Sequence, residues 1–135
     1  MLTKPTLLFI LMTTLAGCAA GPQLECHGDE RSLVLDTLYF GTASPAGPVS
    51  DTQWQAFVAE VVSAEFPNGY TVLRGEGAWR GDNGQLQRED SHVLQLVHEA
   101  GAAADQAIQR ISSRYKKQFE QEAVLRVRTA SCASF

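Results

Sequence analysis

The chain has 135 residues, of which 44% are hydrophobic and 19% charged, with 11 Gly, 5 Pro and 3 Cys. This composition excludes a disordered acidic tail, a collagen-like repeat and a disulfide-dense mini-protein, and the length suits one domain but not two. The net charge of -4 argues against nucleic acid as a partner, since a protein that neutralises phosphates carries a basic patch.

The first 17 residues are typical of a secretory leader. Lys4 precedes an apolar run at residues 7–12, and the chain continues to Leu-Ala-Gly-Cys at residues 15–18. The apolar run is far shorter than the roughly 20 residues that span a bilayer, which argues against a permanent transmembrane helix. Residues 15–18 resemble the lipobox of bacterial lipoproteins. Ordinary signal-peptidase cleavage nearby, with Cys18 as a bystander, is the alternative.

The lipobox resemblance implies cleavage before Cys18, a diacylglyceryl group on its sulfur and usually N-acylation of the freed amine. Two or more acyl chains hold a protein stably on a membrane, so the membrane is an expected partner. Ala19 follows the cysteine instead of the retention residue Asp, which favours the periplasmic face of the outer membrane. The expected location is therefore the cell envelope.

Two further cysteines, Cys26 and Cys132, remain for a disulfide in an oxidising compartment. Two free thiols are the alternative. Neither cysteine belongs to a C-x-x-C pattern, and His27 could help to bind a metal only if the disulfide were absent. We therefore expect no metal site and no cofactor.

Residues 18–31 contain glycine, proline and several charges without an apolar period, and they are interpreted as a flexible tether after the lipidated cysteine. Residues 32–41 are rich in strand formers and predict the first strand. Ser50 or Asp51 can cap the helix that follows, and residues 67–69, Pro-Asn-Gly, end it. The apolar stripe of this helix recurs at helical spacing: Trp54, Phe57, Val58, Val61, Val62 and Phe66.

Residues 70–79 and 86–97 predict the second and third strands, which a polar turn at residues 81–84 joins into a hairpin. A second helix is predicted from about Ala102, and residues 123–128 predict the fourth strand because Leu125 and Val127 alternate with two arginines. The buried face of the second helix is expected to contain Ala104, Ala107, Ile108, Ile111, Tyr115 and Phe119.

The order β-α-β-β-α-β predicts a ferredoxin-like plait over residues 32–135, an α+β domain with a four-stranded antiparallel sheet and both helices on one face. The fourth strand then lies beside the first, which brings Cys26 near Cys132. Arg126 and Arg128 are expected on the sheet face away from the helices. Asp36 joins them there if the first strand presents Val34, Asp36, Leu38 and Phe40 to that face. Leu35 and Tyr39 are equally good core candidates, so the face of this strand stays open.

Several segments together resemble a known bacterial family. They are Asp36-Thr37-Leu38-Tyr39-Phe40-Gly41, Trp54 and Phe57, Phe66-Pro67-Asn68-Gly69-Tyr70-Thr71-Val72-Leu73, Gly77-Ala78-Trp79-Arg80, and Val124-Leu125-Arg126-Val127 with Cys132 and Phe135. The chain is identified as a member of domain-of-unknown-function family 3574, small secreted proteins and lipoproteins. The resemblance implies no activity and carries no catalytic residues.

No nucleotide-binding, zincin or hydrolase-elbow motif is present in the sequence. Asp90, Ser91 and His92 are the residue types of a serine triad, but adjacent strand residues alternate faces and cannot align for catalysis. The candidate binding residues are therefore Arg126 and Arg128 with Tyr39, and Trp79 with Arg80 near the hairpin tip. Ordinary cross-strand pairing of the hairpin arginines with Glu76, Glu89 and Asp90 is the alternative for that second group.

These features favour a lipid-anchored binding or accessory module, for which a small molecule or an envelope protein would be the ligand. A self-associating domain, such as a homodimer whose paired sheets form a ligand cavity, is the alternative. A small periplasmic enzyme is a weaker third candidate, because no set of catalytic residues stands out.

Overall fold

The computed structural model describes residues 24–80 and 84–135. The predicted leader, residues 1–17, and the predicted lipidation site Cys18 lie outside the described residues. Within the described part, neither helix is long and apolar enough to cross a membrane.

Four strands form one antiparallel sheet in the order β2-β3-β1-β4. The strands are β1 (Arg31–Gly41), β2 (Thr71–Arg80), β3 (Leu86–His98) and β4 (Leu125–Ala133). The predicted pairing of the first and last strands is confirmed, and it places Asp36 opposite Arg128 and Leu38 opposite Arg126. The predicted hairpin of β2 and β3 is also confirmed.

The first helix, α1, covers residues 51–65 and changes type along its length. It is α-helical at Asp51–Phe57, π-helical at Val58–Val62 and α-helical again at Ser63–Glu65. Ser50 is the N-cap and forms a capping box with Gln53, which satisfies backbone donors that the first turn leaves free. The Ser63 hydroxyl donates to the carbonyl of Val58 at 3.1 Å, within the widened turn.

The second helix, α2 (Ala102–Phe119), ends at Glu120, whose backbone is left-handed with φ 51°. Both helices supply side chains to one core against one sheet face. An aromatic cluster fills its centre, where the ring centroids of Phe40 and Tyr115 are 4.7 Å apart. The buried core residues are Leu38, Phe40, Val49, Trp54, Phe57, Val62, Leu94, Leu96, Ile108, Ile111, Tyr115 and Phe119.

The structure decides which face of β1 meets the helices. Leu38 and Phe40 belong to the core, and side chains of a strand alternate, so Val34 and Asp36 face the helices as well. Leu35 and Tyr39 therefore lie on the other side of the sheet. Tyr39 is 38% exposed there, whereas Phe40 is fully buried.

The strand β4 is longer than residues 123–128 because its second half pairs with the start of β1. Arg31 lies opposite Ala133 and Ser32 opposite Cys132 in that ladder. Cys26 and Cys132 form a disulfide with a Cα–Cα distance of 5.5 Å, as predicted. The domain is thus tied at residue 26, before its first strand begins.

Candidate functional site

Arg126 and Arg128 meet two carboxylates at the helix side of the sheet. Arg126 donates from Nε to Asp36 Oδ1 and from Nη2 to Asp36 Oδ2, both at 2.7 Å. Arg128 donates from Nη2 to Asp36 Oδ2 at 3.0 Å, and both arginines also bind Asp105 on α2. His98 Nε2 lies 2.9 Å from Asp36 Oδ2. We call these five residues the Asp36 network.

The Asp36 carboxylate is the buried centre of this network. Its side chain has no solvent exposure. Burial alone would raise the pKa of Asp36, but hydrogen bonds from Arg126, Arg128 and His98 outweigh it and hold the pKa well below its ordinary value. A carboxylate that is this fully paired has a structural role, because it connects β1 and β4 to the first turn of α2 through Asp105.

The expectation that Arg126 and Arg128 lie on the face away from the helices is wrong. Arg126 is the cross-strand partner of Leu38, and Arg128 is the partner of Asp36. Partners that lie opposite each other in a ladder share a face, so both arginines follow Leu38 and Asp36 to the helix side. The alternation of β4 was predicted correctly, but its two faces were exchanged.

Tyr39 lies on the sheet face away from the helices, which we call the open face. It belongs to a row of apolar residues that crosses all four strands: Leu73, Val93, Tyr39 and Leu125. Leu73 is 47% exposed and Leu125 is 60% exposed. Val97 and Val127 extend the same face and are also exposed. The candidate arginines and Tyr39 are therefore on opposite faces and do not form one site.

Trp79 and Arg80 lie at the end of β2. Trp79 occupies the position opposite Gln87, and Arg80 the position opposite Leu86. The Arg80 guanidinium donates from Nη1 to the carbonyl of Gly84 at 2.6 Å, which closes the hairpin locally. The expected cross-strand pairing in this hairpin is present between Arg88 and Glu76, at 2.9 Å.

A groove between α1 and the edge strand β2 was not foreseen from the sequence. It has a volume of about 440 Å³. Its residues from α1 include Trp54 and Val58, and the strands contribute Val72, Arg74 and His92. His92 is 5% exposed, and its ring stacks on the indole of Trp54 with centroids 4.4 Å apart and planes 2° apart. Burial lowers the pKa of His92, since the charged imidazolium is poorly solvated there.

The sequence offered signals for both of these arrangements. Asp36 is an acidic residue inside an apolar strand, and a buried carboxylate needs cationic partners, for which the alternating arginines of β4 were candidates. His92 and Arg74 lie in the two strands of the predicted hairpin, and the structure places them opposite each other. The position of α1 above these residues could not be predicted from the sequence.

Potential metal ligands come together at the disulfide. Ligand atoms of Cys26, Glu30 and Cys132 lie within 4.8 Å of one another. Both sulfurs are committed to the disulfide bond and have no thiolate to offer. Glu30 instead accepts a hydrogen bond from the backbone of His27 at 3.0 Å.

The fold defines a class of small mixed α/β domain with a four-stranded antiparallel sheet and two helices. Within that class, the chain belongs to the DUF3574 family of proteins of unknown function, whose model matches residues 35–135. No curated protein matches the chain.

Solved structures with the same general fold share little sequence with the chain. A phage SAM lyase in complex with S-methyl-5'-thioadenosine is 13% identical with a TM-score of 0.57, and the match covers 85% of this chain and 95% of that chain. The apo form of a phage SAM lyase gives the same TM-score, with coverage of 84% and 95% and again 13% identity. CutA from Synechococcus elongatus is 11% identical with a TM-score of 0.50, covering 78% and 87%. At these identities the likeness concerns the fold alone.

Proposed function

We propose that the chain is a lipid-anchored binding module of the bacterial cell envelope. The Leu-Ala-Gly-Cys sequence at residues 15–18 and the apolar run before it support the anchor. The disulfide between Cys26 and Cys132 supports an oxidising compartment outside the cytoplasm, such as the periplasm. Ala19 after the cysteine supports anchoring at the periplasmic face of the outer membrane, in a host that sorts its lipoproteins by this residue.

The architecture is, in this proposal, a ferredoxin-like plait. Support comes from the strand order β2-β3-β1-β4, in which the two central strands, β1 and β3, each begin one β-α-β half of the domain. Support also comes from the shared core of the two helices on one sheet face. Such a plait leaves its second sheet face without a covering layer, and this face is available for binding.

The observation that carries the binding role is the apolar row of the open face. Leu73, Val93, Tyr39 and Leu125 follow one another from one sheet edge to the other, and all of them except the buried Val93 are exposed. Soluble monomers seldom expose a band of this size unless it meets another surface. The face measures about 19 Å by 30 Å from strand spacing and rise, or about 600 Å². Stable interfaces bury about 600 to 1,000 Å² on each partner.

A second copy of the chain is the partner that this face fits best. Within the described strands, its charged side chains stand only at its ends, where Arg31 pairs with Glu99 and Glu89 accepts from the backbone of Ala43. In a two-fold pair the residues near the axis face their own copies, so a charged centre would repel itself and a neutral centre does not. An envelope protein with an apolar surface is the alternative partner.

The open face is tested by adding charge to it. Replacing Val97 and Val127 with glutamate should convert a dimer to a monomer in sedimentation equilibrium at micromolar concentration. Both side chains are nearly half exposed, so circular dichroism should show a folded variant. The matched control replaces Gln106 and Gln109, which are exposed on α2, with glutamate and should stay dimeric.

A wild-type chain that is monomeric throughout the concentration range contradicts self-association. Crosslinking from Leu125 in intact cells then distinguishes the remaining cases. A crosslinked product with another envelope protein supports the alternative partner, whereas the absence of any product contradicts a binding role for the open face.

A further inference from the structure

Two residues that line the groove between α1 and β2 carry buried ring nitrogens that lack partners. Trp54 Nε1 and His92 Nε2 are buried and have no hydrogen-bond partner among the described residues. Leaving such an atom unsatisfied costs free energy, and native proteins rarely leave two together. The two rings are stacked at 4.4 Å, so both nitrogens belong to one small region. A bound acceptor atom would satisfy them.

A cation lies next to this region. Arg74 is directly opposite His92 in the β2–β3 ladder, on the same sheet face. Its guanidinium pairs with Asp51 at the start of α1, and its side chain is 73% exposed. A guanidinium has five N–H donors, so the pair with Asp51 leaves donors for a further acceptor. The indole of Trp54 can only donate, and a neutral imidazole can donate from Nε2.

The groove also has an apolar part, beside the polar side chains of Gln55, Ser63 and Tyr70. Val58 and Ala59 of α1 form one side and Val72 of β2 forms the other. The π-helical turn begins at Val58, and turns of this kind are frequent at functional sites. A volume of about 440 Å³ is within the range of small-molecule sites, which are mostly apolar with a few placed polar groups.

We propose that this groove binds a small carboxylate with an apolar body. The carboxylate accepts hydrogen bonds from Trp54, His92 and Arg74, and the apolar body lies between α1 and β2. This site lies on the helix side of the sheet and is separate from the open face. It therefore adds a ligand class to the chain that does not depend on self-association.

The probe for the experiment is 3-phenylpropanoate, with 3-phenylpropanamide as its uncharged counterpart. The protein is the mature chain carrying Cys18→Ser, exported behind a cleavable leader so that the disulfide forms without lipid. Binding is measured by calorimetry and by the NMR shift of the Trp54 indole N–H, which is assigned from a Trp79→Phe variant. The amide should bind about tenfold more weakly than the acid, since it loses one charge-assisted hydrogen bond.

Three variants locate the site. Arg74→Gln removes the guanidinium, and His92→Phe keeps an aromatic ring on Trp54 but removes the nitrogen. Each should weaken carboxylate binding about tenfold. Arg88→Gln is the matched control, because Arg88 belongs to the same hairpin and is not among the residues that line the groove. Its affinity should stay within about twofold of wild type.

Several results would overturn the proposal. They are the absence of a saturable shift up to about 10 mM probe, equal affinity for acid and amide, and equal losses in Arg74→Gln and Arg88→Gln. Shifts confined to the backbone amides of β2, with an unmoved Trp54 indole, would indicate pairing at the strand edge and also overturn it. If His92→Phe does not fold, the exposed Arg74 variant decides the question.

Discussion

Replacing Arg126 with alanine tests the structural role that we assign to the Asp36 network. The substitution removes two hydrogen bonds of 2.7 Å to a carboxylate that has no solvent exposure. Breaking a buried pair costs about 3 to 5 kcal/mol when no partner is left. Arg128 and His98 remain beside Asp36, so we expect the free energy of unfolding to fall by about 2 to 4 kcal/mol.

Urea and thermal unfolding of the chain from Ala19 onward measure this loss. A fall of that size lowers the melting temperature by about 10 to 20 °C in a domain of this length. The control is Arg88→Ala, which breaks an ion pair with Glu76 in which both side chains are mostly exposed. Surface pairs contribute about 0 to 1 kcal/mol, so the control should change little.

The pH dependence gives a second readout for the same variant. Because the pKa of Asp36 is lowered in the folded state, its stabilisation is present above about pH 4 and is lost as the pH falls through the folded pKa. The gap between wild type and Arg126→Ala should therefore narrow as the pH is lowered from about 5 to 2. A variant as stable as Arg88→Ala, or a gap that does not change with pH, would refute the structural role.

Three further predictions use other parts of the chain. Cys18→Ala should release the protein from the membrane fraction or leave it unprocessed, and unchanged anchoring in fractionated cells would contradict lipidation. Replacing Cys26 and Cys132 with serine should lower the free energy of unfolding by about 4 to 5 kcal/mol in the chain-entropy model, and mass spectrometry of periplasmic protein should find the bond rather than two thiols. The free energy of unfolding should also fall as the pH drops below about 6.5, because the unfolded state protonates His92 before the folded state does. His92→Phe should reduce that slope in urea titrations at several pH values.

Much of the fold could be predicted because each element carried a local signal. The stripe of α1 and the cap at Ser50 follow from helical spacing and hydrogen-bonding chemistry, and both are confirmed. The disulfide followed from pairing the first and last strands, which is confirmed as well. The end of β4 was missed, since residues 129–133 are small, without an alternating pattern, and are extended because β1 pairs with them.

The face of β1 could not be predicted because the strand is apolar on both sides. Leu35 and Tyr39 alternate with Leu38 and Phe40, so neither set stands out as the core. Which of the two faces is buried depends on where the helices pack, and that packing is a tertiary effect. The error at Arg126 follows directly, since its face is fixed by the face of its partner Leu38.

The proposed anchor and the disulfide together determine how the proposed sites meet the envelope. Cys26 is tied to Cys132, so only residues 19–25 separate the domain from the lipid, a reach of about 25 Å when extended. The strand β1 runs from this end to Gly41, about 33 Å away. His92 pairs with Phe40 near the far end, so the proposed groove would lie at the end of the domain away from the proposed anchor, where a dissolved carboxylate can enter. The open face lies on the other side of the sheet, so the proposed anchor, the proposed self-association and the proposed ligand do not exclude one another.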